Sequence, residues 1–251
     1  MAEAVAAAGS GSAGEAVARP VRGARRGPPL LVARHVSKSF QGRLILADVS
    51  ATLAPGTVTL FSAPSGCGKS TLLEILAGVQ KPDGGAVERL AAASLMFQDN
   101  ALVPSLDAAG NLAYILPRAM AASERRDRIG LWLARVGLEP RSYPRSMSSG
   151  MKRRLSLARA FIADRPLTLL DEPFAFLDDR WHAAVAAFIR ENAEGGGAVA
   201  LAGHGAARAL KDACGDLLRE LELGQSPVTL EDLWYPKGPW VGSKRNKGTS
   251  S

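Results

Sequence analysis

TVTLFSAPSGCGKSTLLEILAG, residues 57–78, runs from a buried-strand pattern through a loop of small residues into a helix. Residues 57–61 are β-branched and apolar, as a fully buried strand requires, and residues 70–77 keep a helical period that Gly78 stops. Between them Ala63, Pro64, Ser65, Gly66, Cys67, Gly68, Lys69, Ser70 and Thr71 nearly complete the phosphate-cradling pattern G-x-x-x-x-G-K-[ST]. Gly66 and Gly68 let backbone N–H groups turn inward, and the helix N-terminus adds partial positive charge where phosphate oxygens would lie. Lys69 is placed to reach β- and γ-phosphates, and Ser70 to give a hydroxyl to Mg²⁺. The stretch predicts a nucleoside triphosphate site in an α/β fold. Ala63 stands where the pattern has its first glycine, a change that is tolerated unless the backbone there needs φ > 0.

Outward from this loop, short apolar runs at 30–33, 39–40 and 44–46 read as early strands, followed by a turn at 54–56. Phe40 lies among them; core packing is the default for a lone aromatic, and stacking on an adenine is the sharper reading. A turn at 81–85 precedes a strand at 93–97 that ends at Gln98. Ligands of open α/β sheets bind outside the strand C-termini, which places Gln98 to reach Mg²⁺ or a water. The strand at 167–170 runs into Asp171 and Glu172. Two adjacent carboxylates ending a buried strand are costly unless they meet a cation or a reactive water. Asp171 would hold Mg²⁺ through water, and Glu172 would polarise the attacking water. Asp178 closes the following segment, and a last apolar strand at 198–203 ends at His204.

Residues 99–157 are poor in β-branched residues and rich in Ala, Leu and Arg, so they read as largely helical, with a clear helix at 123–136. Ser148, Ser149 and Gly150 open a further helix that runs through Leu155, Ala158, Phe161 and Ile162. That string is an N-cap on its own terms, and its exposed N–H groups and helix dipole also make it a second anion site.

Whole-chain properties narrow the classes. The 251 residues with 47% hydrophobic content suffice for one large domain or two joined subdomains. Cys67 and Cys214 are the two cysteines, expected as free thiols in a reducing compartment. No apolar run is long enough to span a bilayer, so a membrane role would go through a partner. The net charge of +7 sits mostly in the ends: residues 1–29 carry +2 and residues 237–251 carry +4, leaving +1 for the rest. Nucleic acid is therefore not expected as a partner. Residues 1–29 lack any strand or helix period and read as a disordered arm; two glutamates and no amphipathic stripe argue against a transit peptide. The basic tail at 237–251 reads as solvated, with contact to anionic lipid headgroups as the sharper option.

Taken in order, these motifs resemble the ATP-binding cassette of ABC transporters over about residues 30 to 225. Phe40 is similar to that family's adenine-stacking aromatic and residues 63–71 to its Walker A loop. Gln98 resembles the Q-loop, Ser148-Ser149-Gly150-Met151 the signature, residues 167–172 the Walker B strand, Leu177-Asp178 the D-loop, and His204 the switch histidine. The segments around Gln98 and residues 171–178 are most similar to bacterial importers of the nitrate, sulfonate and taurine type.

The resemblance implies a P-loop NTPase core with an N-terminal antiparallel β subdomain, in a cassette spanning 30–236 with a helical subdomain at about 99–157. It implies MgATP hydrolysis in a head-to-tail pair of cassettes, each nucleotide held by Walker A of one copy and the signature of the other. Glu172 would be the general base, His204 would touch the γ-phosphate, and Gln98 and Asp178 would complete the catalytic set, with Ser70, Gln98 and Asp171 at the metal. The implied partners are an integral membrane permease docking on the helical subdomain and a periplasmic or lipid-anchored substrate-binding protein. The implied place is the cytoplasmic face of the inner membrane. Ala63, Ser149, Met151 and Gly205 depart from the family pattern. Ala63 and Ser149 keep open a hydrolysis-deficient nucleotide-binding regulatory subunit, and a soluble, non-transport cassette ATPase acting on ribosomes or DNA is the other alternative to the transport ATPase.

Overall fold

The computed structural model describes residues 27–64, 66–203 and 207–223. The expectations for the N-terminal arm, except its last three residues, for the basic tail, and for Ser65, His204 and Gly205 lie outside these residues.

Two sheets organise the chain. The first is antiparallel, in the order β2 (Arg43–Leu53), β1 (Leu31–Phe40), β4 (Gly84–Arg89). The second is parallel, in the order β5 (Ala93–Met96), β6 (Leu167–Asp171), β7 (Ala198–Ala202), β3 (Thr57–Ser62), β8 (Leu218–Glu222). The expected short early strands are in fact two long ones. β1 pairs with β2 from Leu31–Leu53 to Phe40–Arg43, and register shifts after Ala33, Val36 and Lys38 break its alternation. The expected turn at 81–85 is shorter than its sequence suggests, because Gly84 and Gly85 already belong to β4.

The helices are α1 (Lys69–Ala77), α2 (Ala108–Ala113), α3 (Ala122–Val136), α4 (Ser149–Ile162), α5 (Asp179–Glu194) and α6 (Ala207–Cys214). α2, α3 and the first part of α4 are the helical stretch expected at 99–157. α4 runs on to Ile162, because its last turns, Leu157, Ala158, Phe161 and Ile162, are buried in the main core.

The parallel sheet is covered on both faces, and its strands divide their residues by period two. Leu167, Leu169, Ala198, Ala200 and Ala202 face one core with Leu72, Leu73, Ile75 and Leu76 of α1 and the apolar side of β1 and β2. Val58, Leu60, Leu170, Val199 and Leu201 face the other, with α4 and α5. The alanines of β7 leave room for α1 to approach. Each fully buried leucine or isoleucine of α1 stabilises the fold by about 1.5–3 kcal/mol before entropy is counted. Trp132, Phe161 and Phe188 join α3, α4 and α5, with ring centroids 5.5 to 6.3 Å apart, and the Arg135 guanidinium lies 4.6 Å from the Trp132 and Phe188 rings.

Candidate functional site

The register of the parallel sheet aligns the strand ends. Phe61 of β3 pairs with Ala202 of β7, and Ala202 pairs with Asp171 of β6. The loops that follow these strands therefore start side by side. Met96, which ends β5, pairs with Leu170 and brings Gln98 to the same edge. One edge thus gathers the phosphate loop, the two carboxylates, Gln98 and the approach to residue 204.

The loop after β3 leads into α1, whose N-cap is Gly68 in the left-handed conformation at φ 79°. A Cβ there would lie 2.7 Å from Ile45 Cγ2 and 2.9 Å from Leu46 Cδ2, so only glycine lets β2 close against the loop. Ala63 is not among the residues with positive φ, so its backbone does not ask for a glycine. The Lys69 ammonium donates to the carbonyls of Ala63 at 2.7 Å and Pro64 at 3.2 Å. Cys67, Ser70 and Thr71 are half-buried, and Gly66 is exposed.

Asp171 is buried at the end of β6. Burial pushes its carboxyl above the ordinary carboxylate range, against a hydrogen bond with Ser70. A buried carboxylate beside a hydroxyl is a donor set that suits a small hard cation, which takes one or two carboxylates together with substrate phosphates. Among the described residues no group of three or more His, Cys, Asp or Glu side chains stands ready to hold a metal alone. Ser70 and Asp171 fit Mg²⁺ in that shared manner. Glu172 lies in the left-handed region at φ 50°, its N–H donating to Ala202 O at 2.7 Å. A Cβ on Gly203 would lie 3.1 Å from Glu172 Oε2, which puts the carboxylate beside the residue preceding His204.

Phe40 ends β1 and is 44% exposed, with the Lys38 ammonium 5.5 Å from its ring centroid. An exposed ring is not core packing, and it occupies the hairpin end of the sheet whose Ile45 and Leu46 abut Gly68.

Ser148 caps α4 by accepting from Met151 N at 3.2 Å, and Ser149 opens the helix on the exposed surface. A Cβ on Gly150 would meet Phe176 O at 2.9 Å and Leu177 Cδ2 at 3.9 Å. The signature segment is therefore seated against residues 176–177 of its own chain. Asp178, expected in the catalytic set, caps α5 by accepting from Trp181 N at 3.0 Å.

Arg153 is the residue that sequence reasoning passed over. It is 1% exposed, and its guanidinium donates to Phe97 O at 3.3 Å, Gln98 O at 2.7 Å and Asp171 O at 3.5 Å. Burial pushes its pKa down, against the charges of Asp171, Glu172 and Asp99. In the run Lys152-Arg153-Arg154 nothing local separates it from a solvated basic face.

Glycine-rich loop, helix N-terminus, lysine, hydroxyl and paired carboxylates at one edge of a parallel sheet define a P-loop nucleotide-binding protein. Residues 46–175, just over half the chain, match the ABC transporter family, and the chain belongs to that family. It is 42% identical over 167 residues to a taurine import ATP-binding protein, TauB, of Pseudomonas aeruginosa, covering 59% of this chain and 62% of the relative. It is 38% identical over 184 residues to an aliphatic sulfonates import ATP-binding protein, SsuB, of Cupriavidus necator, covering 67% and 59%. To the Fe(3+) ions import ATP-binding protein FbpC 1 of Rhizobium meliloti it is 37% identical over 178 residues, covering 65% and 50%. The chain thus spans between 50% and 62% of the length of these relatives. Among solved structures, an ATP-binding subunit of an ABC transporter superposes with a TM-score of 0.69 at 23% identity, covering 77% of this chain and 85% of that one. The cassette MJ0796, in a dimeric post-hydrolysis state with ADP and Pi, superposes with a TM-score of 0.67 at 24% identity, covering 78% and 97%. These two likenesses establish the fold.

Proposed function

We propose that this chain is the ATP-binding and ATP-hydrolysing subunit of a bacterial ABC importer, powering passage of a small solute through a separate membrane permease. The observation that carries this reading is the alignment of Phe61, Ala202 and Asp171, which starts the phosphate loop, the carboxylate pair and the residue 204 loop side by side. The import ATP-binding relatives support it.

In this reading Phe40 stacks on the adenine, the N–H groups of residues 66–71 and the Lys69 ammonium hold the phosphates, and Lys69 exchanges its two loop carbonyls for phosphate oxygens. Ser70, Asp171 and Gln98 hold Mg²⁺, which when bound screens the phosphate charge. Glu172 accepts a proton from the attacking water, and His204 faces the γ-phosphate. Ser148, Ser149 and Gly150 meet the nucleotide held by a second copy, which makes the active unit a head-to-tail pair. Ala63, with no positive φ, gives no ground for a hydrolysis-deficient chain. The partners are the permease, which docks on the helical subdomain, and a substrate-binding protein in the same system. The chain sits peripherally on the cytoplasmic face of the membrane.

Glu172→Gln tests this reading. It keeps MgATP affinity and ATP-driven pairing while turnover falls by about 10²–10⁴, the usual contribution of a general base. Unchanged turnover in that variant refutes the assignment of the base, and wild-type protein that neither binds nor hydrolyses ATP refutes the function.

A further inference from the structure

α4 bears three polar side chains spaced three residues apart, Arg153, Ser156 and Arg159, a stripe about 9 Å long on a helix rising 1.5 Å per residue. All three reach main-chain carbonyls of the loop after β5. Arg153 holds Phe97 O and Gln98 O, Ser156 Oγ donates to Asn100 O at 3.1 Å, and Arg159 Nη1 donates to Ala101 O at 2.5 Å. The loop runs alongside the helix in the same direction, so successive carbonyls meet successive turns. Its backbone is taut: Asn100 and Ala101 both have positive φ, at 69° and 44°, and Asn100 N and Ala101 N close back onto Phe97 O and Asp99 Oδ1. Non-glycine residues in that region persist only where the surroundings hold them.

Arg153 does more than fill space. A buried guanidinium is expensive to desolvate, and its Nε has no hydrogen-bond partner among the described residues. Its two terminal nitrogens fork across two segments, the loop carrying Gln98 and the strand end carrying Asp171. A planar fork spans such separated acceptors, whereas an ammonium is a single point. The same helix begins at Ser149 and Gly150, seated on residues 176–177, and the Phe176 ring centroid lies 5.9 Å from the Arg153 guanidinium.

We propose that Arg153, Ser156 and Arg159 are positioning residues that lock the Gln98 loop to α4, so that contact of the α4 N-terminus with a nucleotide on a second copy resets Gln98 and Asp171 in the chain's own site. The lock itself is a property of one chain. Its effect on turnover rests on the head-to-tail reading given above.

The test uses the full chain with Arg153→Met, Arg153→Lys, Ser156→Ala and Arg159→Gln. Amide hydrogen exchange of residues 97–102 is measured without nucleotide, together with MgATP affinity and turnover against ATP concentration. In Arg153→Met, nucleotide affinity stays within about threefold of wild type, turnover falls by about 5- to 150-fold, the usual span of coupling between sites, and the Hill coefficient drops to one. Exchange in 97–102 rises in all the variants, least in Ser156→Ala, and Arg153→Lys recovers only part of the loss because it lacks the fork. Wild-type exchange, turnover and Hill coefficient in Arg153→Met overturn the proposal. Should Arg153→Met fail to fold, unchanged exchange in both Arg159→Gln and Ser156→Ala overturns it. A Hill coefficient of one in the wild type instead refutes the head-to-tail reading, and the exchange data then decide the lock alone.

Discussion

Gly66 and Gly68 lie two residues apart in the phosphate loop with nearly the same backbone, φ 82° and 79°, yet a methyl group added to each meets a different fate. At Gly66 nothing among the described residues lies within 4 Å, whereas at Gly68 the new carbon falls 2.7 Å from Ile45 Cγ2, 2.9 Å from Leu46 Cδ2 and 3.3 Å from Ile45 O. The left-handed conformation costs an alanine about 1–2 kcal/mol at either site. Only Gly68→Ala adds the overpacking term, about 1–3 kcal/mol, because Leu46 is buried and the carbonyl of Ile45 is fixed in β2. Gly66→Ala therefore loses about 1–2 kcal/mol and Gly68→Ala about 2–5 kcal/mol in total. The loss is divided between folding stability and nucleotide affinity according to how far the loop shifts. At about 1.4 kcal/mol per factor of ten, a loss taken wholly in affinity is about 5- to 30-fold for the first variant and about 30- to 4000-fold for the second. Urea unfolding of the nucleotide-free protein and calorimetric titration with MgATP together recover the sum. Ile45→Ala, which removes the nearest methyl, restores part of the loss in the Gly68→Ala background and none in the Gly66→Ala background. Equal summed losses in the two glycine variants refute the reasoning, because the contact with β2 would then carry no weight.

Gly150→Ala sets a Cβ 2.9 Å from Phe176 O, so the α4 N-terminus must shift. ATP affinity of the single chain is expected to hold while steady-state turnover falls about 10-fold or more, as misplacement of a reacting partner produces. Asp178→Ala removes the cap of α5 and lowers the urea-unfolding free energy by about 0.5–2 kcal/mol, whereas Asp178→Asn, an equally good cap, leaves it unchanged; a turnover defect in the asparagine variant would give this carboxylate a role beyond the cap. Burial pushes the Cys214 thiol up to about 11 from an ordinary 9.0. The protonated thiol therefore adds stability that is fully present below pH 9 and lost by pH 11, about 2–3 kcal/mol at most. Unfolding from pH 8 to 11 should accordingly decline less steeply in Cys214→Ala than in wild type, and a thiol reagent should modify Cys67 in the native protein and both cysteines only in denaturant.

The phosphate loop was legible because every signal for it is local: a buried-strand run, the motif itself, and Gly78 in the left-handed C-cap of α1. β1 was not legible as one strand. His35 and Asp48 take positive φ on facing strands, and the register shifts beside them scramble the alternation that marks a half-buried strand. The helix at 179–194 was not read from the sequence, although Val185, Phe188, Ile189 and Ala193, all buried, keep a helical spacing. Arg153 carried no such signal. Its burial is decided by carbonyls 55 and 56 residues earlier in the chain, and side chains of the same charge flank it. The role of Ser148 as a cap was read from composition and spacing, whereas the cap role of Asp178 and the seating of Gly150 on residue 176 needed the fold.

Glu172 holds a left-handed backbone, which a residue bearing a Cβ adopts at a cost of about 1–2 kcal/mol. Its position and the proton it is assigned are thus in thermodynamic conflict, and the chain would fold more readily with glycine or asparagine there. If the proposed hydrolysis were lost in a descendant, Glu172→Gly or Glu172→Asn would raise its stability by about that amount. On the proposed function, the glutamate at that angle gives up backbone stability to keep a base beside the nucleotide.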